Sequence, residues 1–115
     1  MVIQQGEVYW VDVGAPKGRG LAYRRPHVVV QGNPFNDGGT ATVVVCAITS
    51  NINRADFPGN VLLQKGEANL TKDSLVIGTE LHAVDRNYLV DRIGNLSSER
   101  VEEIIKSIKM VLDTD

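Results

Sequence analysis

Hydrophobic and polar residues alternate, or cluster in short runs, over most of the chain, a pattern typical of β-strands. Six strands are predicted, over residues 7–13, 26–31, 41–48, 60–64, 74–81 and 88–94. In the first strand the alternation assigns Tyr9 and Val11 to one face, and Val8 and Trp10 to the other. The second strand is almost continuously apolar, so we expect both of its faces to be covered.

Glycine, proline and asparagine mark the connections between these strands. Residues 14–21 contain three glycines and a proline and are predicted to form a loop. Residues 33–39 give a strong turn signal, so the second and third strands are expected to form an antiparallel hairpin. A polar loop is predicted over residues 49–59.

The hydrophobic period changes near the C-terminus and indicates one amphipathic helix. Its apolar positions are Val101, Ile104, Ile105, Ile108, Val111 and Leu112. Ser97 is a suitable N-cap, and Glu99 suits the positive end of the helix dipole. The apolar stripe could pack on the core or form an oligomer interface. The predicted fold is mainly β (α+β): a small, strongly bent antiparallel sheet or partial barrel with a C-terminal helix.

Composition limits the size and compartment of the protein. The 115 residues are enough for one domain, and we expect a single domain over residues 1–115. Cys46 is the only cysteine, which excludes an intrachain disulfide, and it lies in an apolar run where a buried, inert thiol is expected. The sequence contains neither a signal-peptide pattern nor a membrane-spanning run, so a cytoplasmic protein is predicted.

Positive charge is concentrated in one segment, although the net charge of the chain is −2. Arg24-Arg25-Pro26 precedes the second strand, Lys17 and Arg19 lie just upstream, and residues 14–32 contain no acid. Proline pushes the preceding residue toward extended geometry, so Arg25 should leave the loop in a defined direction. A positioned guanidinium beside a basic loop suggests recognition of a phosphate group.

The predicted hairpin brings a hydroxyl to this arginine. If the second and third strands pair, Arg25 at the entry of one and Thr49 at the exit of the other fall at the same end. Two readings remain open from spacing alone. Arg25 and Thr49 could form a site, or Arg25 could be a surface ion-pair residue while Thr49 merely ends a strand.

Several standard chemistries find no support in the sequence. There is no phosphate-binding loop motif, no Gly-x-Ser-x-Gly and no His-Glu-x-x-His. A metal site or a paired-histidine nuclease would need His27 and His82, which are far apart in the sequence, to converge in space. No metal and no cofactor are predicted.

Four short motifs, in order along nearly the whole chain, resemble the MazF/PemK/Kid toxins of bacterial toxin–antitoxin systems. They are Gly6-Glu7-Val8-Tyr9-Trp10-Val11-Asp12, Arg25-Pro26-His27-Val28-Val29-Val30, Ala47-Ile48-Thr49-Ser50 and Ile93-Gly94-Asn95-Leu96-Ser97. The resemblance implies an SH3-like β-barrel with a C-terminal helix, acting as a homodimer. It further implies metal-independent, sequence-selective cleavage of single-stranded RNA, including mRNA, and inhibition by an antitoxin with an acidic disordered segment.

Carried over residue by residue, Arg25 matches the catalytic arginine of the family and Thr49 its catalytic threonine. The 2′-hydroxyl of RNA would be the nucleophile, and the products would be a 2′,3′-cyclic phosphate and a free 5′-hydroxyl. The other residues assigned to RNA binding are Lys17, Arg19, Arg24, Ser50, Asn51 and Glu80. Trp10 matches a position near the groove that receives antitoxin, although packing in the core is an equally open reading.

The chain departs from the family pattern at two positions. Many members have Gly-Ser-Glu in the first loop, where this chain has Gly18-Arg19-Gly20, and Glu80 stands where many relatives have glutamine. The second change replaces a donor–acceptor amide with a carboxylate that only accepts, so base preference there should differ. Tyr23 and Phe35 are loop aromatics that could stack on unpaired bases or pack locally.

Two other functions stay open at this point. CcdB-like relatives with the same fold poison DNA gyrase without cutting nucleic acid, and such a protein would not need Arg25 and Thr49 together. An SH3-like module that binds a peptide would need an aromatic-lined groove, for which three tyrosines, two phenylalanines and one tryptophan are few.

Overall fold

A computed structural model describes residues 2–12 and 24–114, which form a six-stranded sheet and two α-helices. The strands are β1 (Glu7–Asp12), β2 (Arg24–Val29), β3 (Thr42–Thr49), β4 (Asn60–Leu63), β5 (Ser74–Asp85) and β6 (Leu89–Asn95). The helices are α1 (Asn33–Asp37) and α2 (Ser98–Val111), and two short 3₁₀ turns cover Glu67–Asn69 and Arg86–Tyr88.

All strand pairs are antiparallel, in the order β4-β5-β3-β2-β1-β6. The predicted class, a mainly β antiparallel fold with a C-terminal helix, is confirmed. Two strands, β2 and β5, extend by more than one residue beyond their predicted bounds. β2 begins at Arg24, because that segment pairs with β1 through Asp12, and β5 continues to Asp85 along β3.

The predicted turn at residues 33–39 is wrong in its local form, because residues Asn33–Asp37 form the short helix α1. Pro34 lies in the first helical turn, where a missing N–H costs nothing. Asn36 is buried and donates its side-chain amide to the carbonyl of Gln31 at 2.9 Å, which ties the helix to the end of β2. The chain still reverses here, and β2 and β3 form the predicted hairpin.

Apolar side chains cover both faces of the central strands. On one face, Val8, Val28 and Cys46 belong to a cluster that also contains residues of α2. On the other face, Tyr9 and Val29 belong to a second cluster. The predicted double burial of the second strand is therefore confirmed, as is the alternation in β1, where Val8 and Tyr9 enter different clusters.

Helix α2 lies on the first of these clusters. Ser97 caps it as predicted, accepting a hydrogen bond from the backbone N–H of Arg100 at 3.2 Å. Ile104 and Ile108 are buried, so the core-packing reading of the stripe is correct. The prediction that Leu112 belongs to the same stripe is wrong, because the helix ends at Val111 and Leu112 is exposed. Within residues 2–12 and 24–114, no helix is both long and apolar enough to cross a membrane.

A bulge interrupts β5 beside the end of β3. The pairs Cys46–Leu81 and Ile48–Val76 flank it, so β5 has four residues, 77–80, where β3 has only Ala47. Two hydrogen bonds fix this segment. The Cys46 thiol donates to the carbonyl of Ile77 at 2.9 Å, and the N–H of Gly78 donates to the carbonyl of Gly59 at 3.0 Å. Bulges redirect side chains next to functional sites, and this one carries Glu80.

The close approach of Gly78 to Gly59 allows a test of this bulge. A Cβ at residue 78 would overlap the carbonyl oxygen of Gly59, a backbone atom that cannot turn away. We expect Gly78→Ala to lower the free energy of unfolding by about 1–3 kcal/mol, measured by urea denaturation. Gly32→Ala is the matched control, because the nearest atoms to its Cβ lie at 3.8–4.0 Å. Equal stabilities of the two variants would contradict this account.

Candidate nucleic-acid interface

The pairing of β2 with β3 positions Arg25 and Thr49. The ladder runs His27–Ala47, Val28–Cys46 and Val29–Val45. Continuing this register by two residues brings Arg25 opposite Thr49. The sequence prediction that these two residues lie at the same end of the hairpin is therefore confirmed.

Pro26 lies where the β2–β3 ladder ends. Proline has no N–H to donate, so it cannot extend the ladder beyond His27. The first three residues of β2 instead pair with β1, in the pairs Trp10–Pro26, Val11–Arg25 and Asp12–Arg24. Arg25 and Thr49 thus lie beyond the β2–β3 ladder, where both side chains reach clefts at the protein surface.

Two clefts meet at these residues. The first, of 490 Å³, we call the Lys72 cleft, and its polar lining includes Ser50, Asn69, Thr71 and Lys72. The second, of 450 Å³, we call the Glu80 cleft, and its lining includes Asn51, Asn53, Arg54, Phe57, Asn60, Thr79 and Glu80. Arg25 and Thr49 line both clefts and form the ridge between them.

A series of hydrogen bonds that begins at the Thr49 hydroxyl holds the loop after β3. Thr49 Oγ1 accepts the N–H of Asn51 at 3.1 Å, and Asn51 Oδ1 accepts the N–H of Asn53 at 3.2 Å. Asn60 closes the loop by donating its side-chain amide to the carbonyl of Arg54 at 3.1 Å. Because the Thr49 oxygen acts as an acceptor in this chain, its O–H can donate to a bound group. Ser50 and Asn51, both predicted to bind RNA, line opposite clefts.

A left-handed turn forms part of the wall of the Lys72 cleft. Ala68 and Asn69 have φ of 51° and 61°, values that non-glycine residues adopt rarely. The turn is held because Arg100 of α2 makes two hydrogen bonds to the carboxylate of Glu67, at 2.8 and 2.9 Å. These bonds lower the pKa of Glu67. Asn69 also donates to the carbonyl of Ile93 at 2.9 Å, which fixes the turn against β6.

Arg24 and Arg25, which the sequence predicts as part of the RNA site, have different ion-pair partners. Arg25 Nη1 lies 3.4 Å from Glu80 Oε1, and the Glu80 carboxylate is about half exposed. Arg24 Nη2 lies 2.7 Å from Asp91 Oδ2, and its guanidinium lies 5.8 Å from the ring of Trp10. Arg24 therefore forms part of the wall of the Lys72 cleft with its charge partly compensated.

Trp10 is not a core residue. It is 39% exposed and lines the Lys72 cleft, on the face of β1 opposite to Tyr9 and Val11. The core-packing reading is therefore wrong. Its antitoxin-binding role stays a prediction.

The ridge and clefts are locally cationic. Among the described lining residues, the cations are Arg24, Arg25, Arg54 and Lys72, and Glu80 is the single carboxylate. This balance contrasts with the net charge of −2 for the whole chain. Lys17, Arg19, Tyr23 and the Gly18-Arg19-Gly20 segment lie outside the described residues, and the roles predicted for them stay predictions.

Sequence reasoning missed residues on both cleft walls. Asn69, Thr71 and Lys72 precede β5, whose start lies next to Thr49 in the Thr49–Leu75 pair. Antiparallel pairing, which brings Arg25 to Thr49, also predicts that residues at the start of β5 lie near Thr49. The sequence predicts only a polar loop around Phe57 and Arg54, whereas the Arg54 guanidinium lies 5.3 Å from the Phe57 ring. Phe35, predicted as a possible stacking residue, lines neither cleft.

The two histidines do converge, contrary to the expectation from their separation in the sequence. Their ring centroids are 5.1 Å apart, because β2 and β5 flank β3 on either side. His27 is buried, and its Nδ1 lies 3.0 Å from the Arg25 carbonyl oxygen, so Nδ1 carries the proton and donates. Neither ring lines the two clefts. Within the described parts of the chain, no group of three potential ligands could hold a metal ion.

An antiparallel β-fold with an arginine–threonine ridge between two cationic clefts defines a protein suited to binding a phosphodiester strand. Residues 4–112 match the family of PemK-like, MazF-like toxins of type II toxin–antitoxin systems. The chain belongs to this family, and the resemblance found in its sequence motifs is confirmed.

Curated relatives cover almost the whole chain. The chain is 39% identical over 113 residues to endoribonuclease MazF6 of Mycobacterium tuberculosis, which covers 98% of this chain and 99% of the relative. It is 31% identical over 111 residues to endoribonuclease MazF of Staphylococcus saprophyticus, covering 96% of this chain and 92% of the relative.

Solved structures support the fold. A MazE–MazF structure from Deinococcus radiodurans superposes with a TM-score of 0.82 at 19% identity, covering 100% of this chain and 99% of that one. A mycobacterial endoribonuclease in complex with its cognate antitoxin superposes with a TM-score of 0.78 at 20% identity, covering 98% and 97%.

The burial of His27 predicts a pH-dependent stability. Loss of hydration lowers the pKa of His27 to about 4, helped by the charges of His82 and Arg25 and opposed by the hydrogen bond to the Arg25 carbonyl and by Glu80. The unfolded chain binds this proton near pH 6.5 and the folded chain near pH 4. The stabilising contribution is therefore complete above pH 6.5 and decreases as the pH falls toward 4, by up to about 3 kcal/mol.

Urea denaturation of wild type and His27→Gln between pH 7.5 and 4.5 measures this contribution. We expect the free energy of unfolding to fall more steeply with decreasing pH in the wild type. His82→Gln is the control for the exposed partner ring, and it should keep most of the wild-type slope. Equal slopes for wild type and His27→Gln would contradict the assignment of the pH dependence to His27.

Proposed function

We propose that this toxin is an endoribonuclease that cleaves single-stranded RNA with the substrate's own 2′-hydroxyl as the nucleophile. The observation that carries the proposal is the Arg25–Thr49 ridge between two cationic clefts. The similarity of the chain to endoribonucleases over nearly its full length supports the reaction class. A strand with unpaired bases can cross the ridge with a base in each cleft, whereas a duplex keeps its bases paired and stacked.

In this reaction the protein needs only to position the RNA and to offset the negative charge that develops on the phosphate. The 2′-oxygen attacks the adjacent phosphorus and loses its proton to water, and the bond from phosphorus to the 5′-oxygen breaks. The departing oxygen takes up a proton, from solvent or from the Arg25 guanidinium. The products are a 2′,3′-cyclic phosphate and a 5′-hydroxyl. No metal is required, because the nucleophile is part of the substrate and an arginine can offset the developing charge.

Arg25 and Thr49 have complementary roles in this scheme. The Arg25 guanidinium binds the non-bridging phosphate oxygens, where charge develops as the phosphorus becomes five-coordinate. The Thr49 O–H donates a hydrogen bond to the phosphate while its oxygen holds the Asn51 backbone. Arg24, Lys72 and the basic residues Lys17 and Arg19 attract the rest of the strand. Ser50 and Asn51 contact the nucleotides on either side of the cut.

We extend the proposal to the partners and location that the resemblance implies. A cognate antitoxin with an acidic disordered segment occupies the Lys72 cleft beside Trp10, so RNA and antitoxin exclude each other. A related mycobacterial structure contains an endoribonuclease with its cognate antitoxin, which supports this partner class. The toxin acts as a homodimer in the cytoplasm, and its molar mass in solution, measured by light scattering, tests the dimer.

Cleavage of a long unstructured RNA in EDTA tests the reaction. Arg25→Ala should slow cleavage by about 100-fold or more, because it removes the main charge on the phosphate. Thr49→Val should also lose activity, and Thr49→Ser should retain it because the hydroxyl is kept. Arg24→Ala is the matched control, with a raised KM and a nearly unchanged kcat.

Three results would overturn this proposal: intact RNA with wild-type protein, full activity in Arg25→Ala, or cleavage ends other than 2′,3′-cyclic phosphate and 5′-hydroxyl. Thermal unfolding of each variant establishes that the fold is intact. A gyrase supercoiling assay run in parallel identifies a gyrase poison, which would leave RNA whole and stall supercoiling.

The antitoxin surface is tested with the cognate antitoxin. We expect Trp10→Ala to weaken antitoxin binding by about tenfold or more in calorimetry, because it removes the exposed ring from the cleft wall. Tyr88→Ala is the control, since Tyr88 is 53% exposed and lines neither cleft. Equal affinities of the Trp10 and Tyr88 variants would exclude Trp10 from the antitoxin surface.

A further inference from the structure

The Glu80 cleft lies on one side of the catalytic ridge. It carries groups on which a nucleobase can stack and groups that can form hydrogen bonds with the edge of that base. The Phe57 ring is about half exposed, and the Arg54 guanidinium lies 5.3 Å from its centroid. Unpaired bases stack on aromatic rings and on guanidinium planes, whichever base they are. This wall of the cleft therefore supplies a platform for one nucleobase.

The position of this platform is fixed by the backbone. The N–H of Phe57 donates to the carbonyl of Arg54 at 3.0 Å, and the N–H of Asn60 donates to the carbonyl of Phe57 at 3.1 Å. The other end of the loop starts at the Thr49 hydroxyl. A base on the platform would therefore lie at a set distance from the catalytic threonine.

Glu80 faces the same cleft and holds Arg25. Its carboxylate lies 3.4 Å from the Arg25 guanidinium and is the single acidic group among the described residues of the two clefts. In this position it competes with a phosphate for the guanidinium. For Arg25 to bind the substrate fully, Glu80 needs another hydrogen-bond donor. An ionised carboxylate can only accept hydrogen bonds.

The bases of RNA differ in what they can offer to such a group. Adenine, cytosine and guanine each carry an exocyclic amine that donates, and carboxylates accept from the amine of cytosine in known base recognition. Uracil presents a carbonyl oxygen in place of the amine, and its remaining donor, N3–H, lies between two carbonyl oxygens that repel a carboxylate. A carboxylate in the Glu80 cleft would therefore favour a base with an amine and disfavour uracil.

We propose that the Glu80 cleft binds one unpaired nucleobase next to the scissile phosphate, stacked on the Arg54–Phe57 platform. The exocyclic amine of this base donates a hydrogen bond to Glu80, and this bond replaces the contact between Glu80 and Arg25. The proposal rests on the endoribonuclease function above. It makes Glu80 a specificity residue that couples the identity of one base to the release of the catalytic arginine. A uracil at this position leaves Arg25 paired with Glu80 and slows cleavage.

Sequencing of the 5′-hydroxyl ends from a long RNA compares wild type with Glu80→Gln. The wild type should disfavour uracil by about tenfold or more at one nucleotide beside the cut. Glu80→Gln should lose most of this discrimination, because its amide both donates and accepts.

A second experiment uses base analogues that lack the exocyclic amine. They test the same hydrogen bond from the side of the substrate, whereas Glu80→Gln tests it from the side of the protein. In oligomers with the preferred site, purine replaces adenine, inosine replaces guanine, or 2-pyrimidinone replaces cytosine at that nucleotide. We expect the analogue to slow the wild type by about tenfold and to leave Glu80→Gln almost unaffected. Glu80→Gln should also bind oligouridine more tightly than the wild type, since no carboxylate competes for Arg25.

Variants of the platform test the stacking step. Phe57→Leu should raise KM by about tenfold, as expected for the loss of one base–aromatic stack, whereas Phe57→Tyr keeps the ring and should behave like the wild type. Phe35→Leu is the control for an exposed phenylalanine outside both clefts.

Two outcomes would overturn this inference without touching the endoribonuclease function. One is an unchanged base profile in Glu80→Gln. The other is a loss of about 100-fold in rate at every sequence, which would make Glu80 a proton acceptor and not a specificity residue. If the wild type cuts no RNA, the endoribonuclease function fails. The affinities of the wild type for oligouridine, oligocytidine and oligoadenosine, measured by fluorescence anisotropy, then decide whether the cleft discriminates against uracil.

Discussion

The antiparallel register between β2 and β3 determines where the described groups of the candidate site lie. It sets Arg25 opposite Thr49, and Pro26 ends the ladder just before them. The remaining walls are attached to the same point. The loop to Phe57 begins at the Thr49 hydroxyl, and β5 starts beside Thr49 and carries the bulge with Glu80. A shift of one residue in this register would turn Arg25 to the other face and separate the parts of the site.

Local contacts determine how readily each arginine of the site can leave its carboxylate partner and bind another group. Arg24 has a short ion pair with Asp91 and lies beside an indole ring, so it is a fixed part of the wall. Arg25 has a longer contact with a half-exposed carboxylate, so a substrate group can replace this contact more readily than the Arg24–Asp91 ion pair. Two adjacent arginines in the sequence thus differ in availability because their partners come from different strands, β6 and β5.

The elements and the central pair could be predicted from the sequence because they follow from local rules. Periodicity located the strands and α2, capping located Ser97, and antiparallel topology joined Arg25 to Thr49. The bulge at residues 77–80 could not be predicted, since it depends on a thiol from β3 and a glycine from the loop before β4. Strand order likewise brings His27 next to His82 and leaves Trp10 exposed. The spacing of hydrophobic residues predicts strands, but it does not predict their order in the sheet. Phe57 was missed because a single aromatic in a polar loop gives no periodic signal.

The ridge between two clefts has a geometric consequence for the proposed cleavage of RNA. In the proposed reaction, the reactive phosphate lies between the two recognition surfaces and not at the margin of one. Nucleotides on the 5′ and the 3′ side are then both held while the bond breaks, so the cut falls inside the recognised sequence. Each fragment leaves with part of that sequence at its new end, and neither product can occupy both clefts. If RNA is cleaved in this way, the fragments that accumulate should inhibit the toxin only weakly.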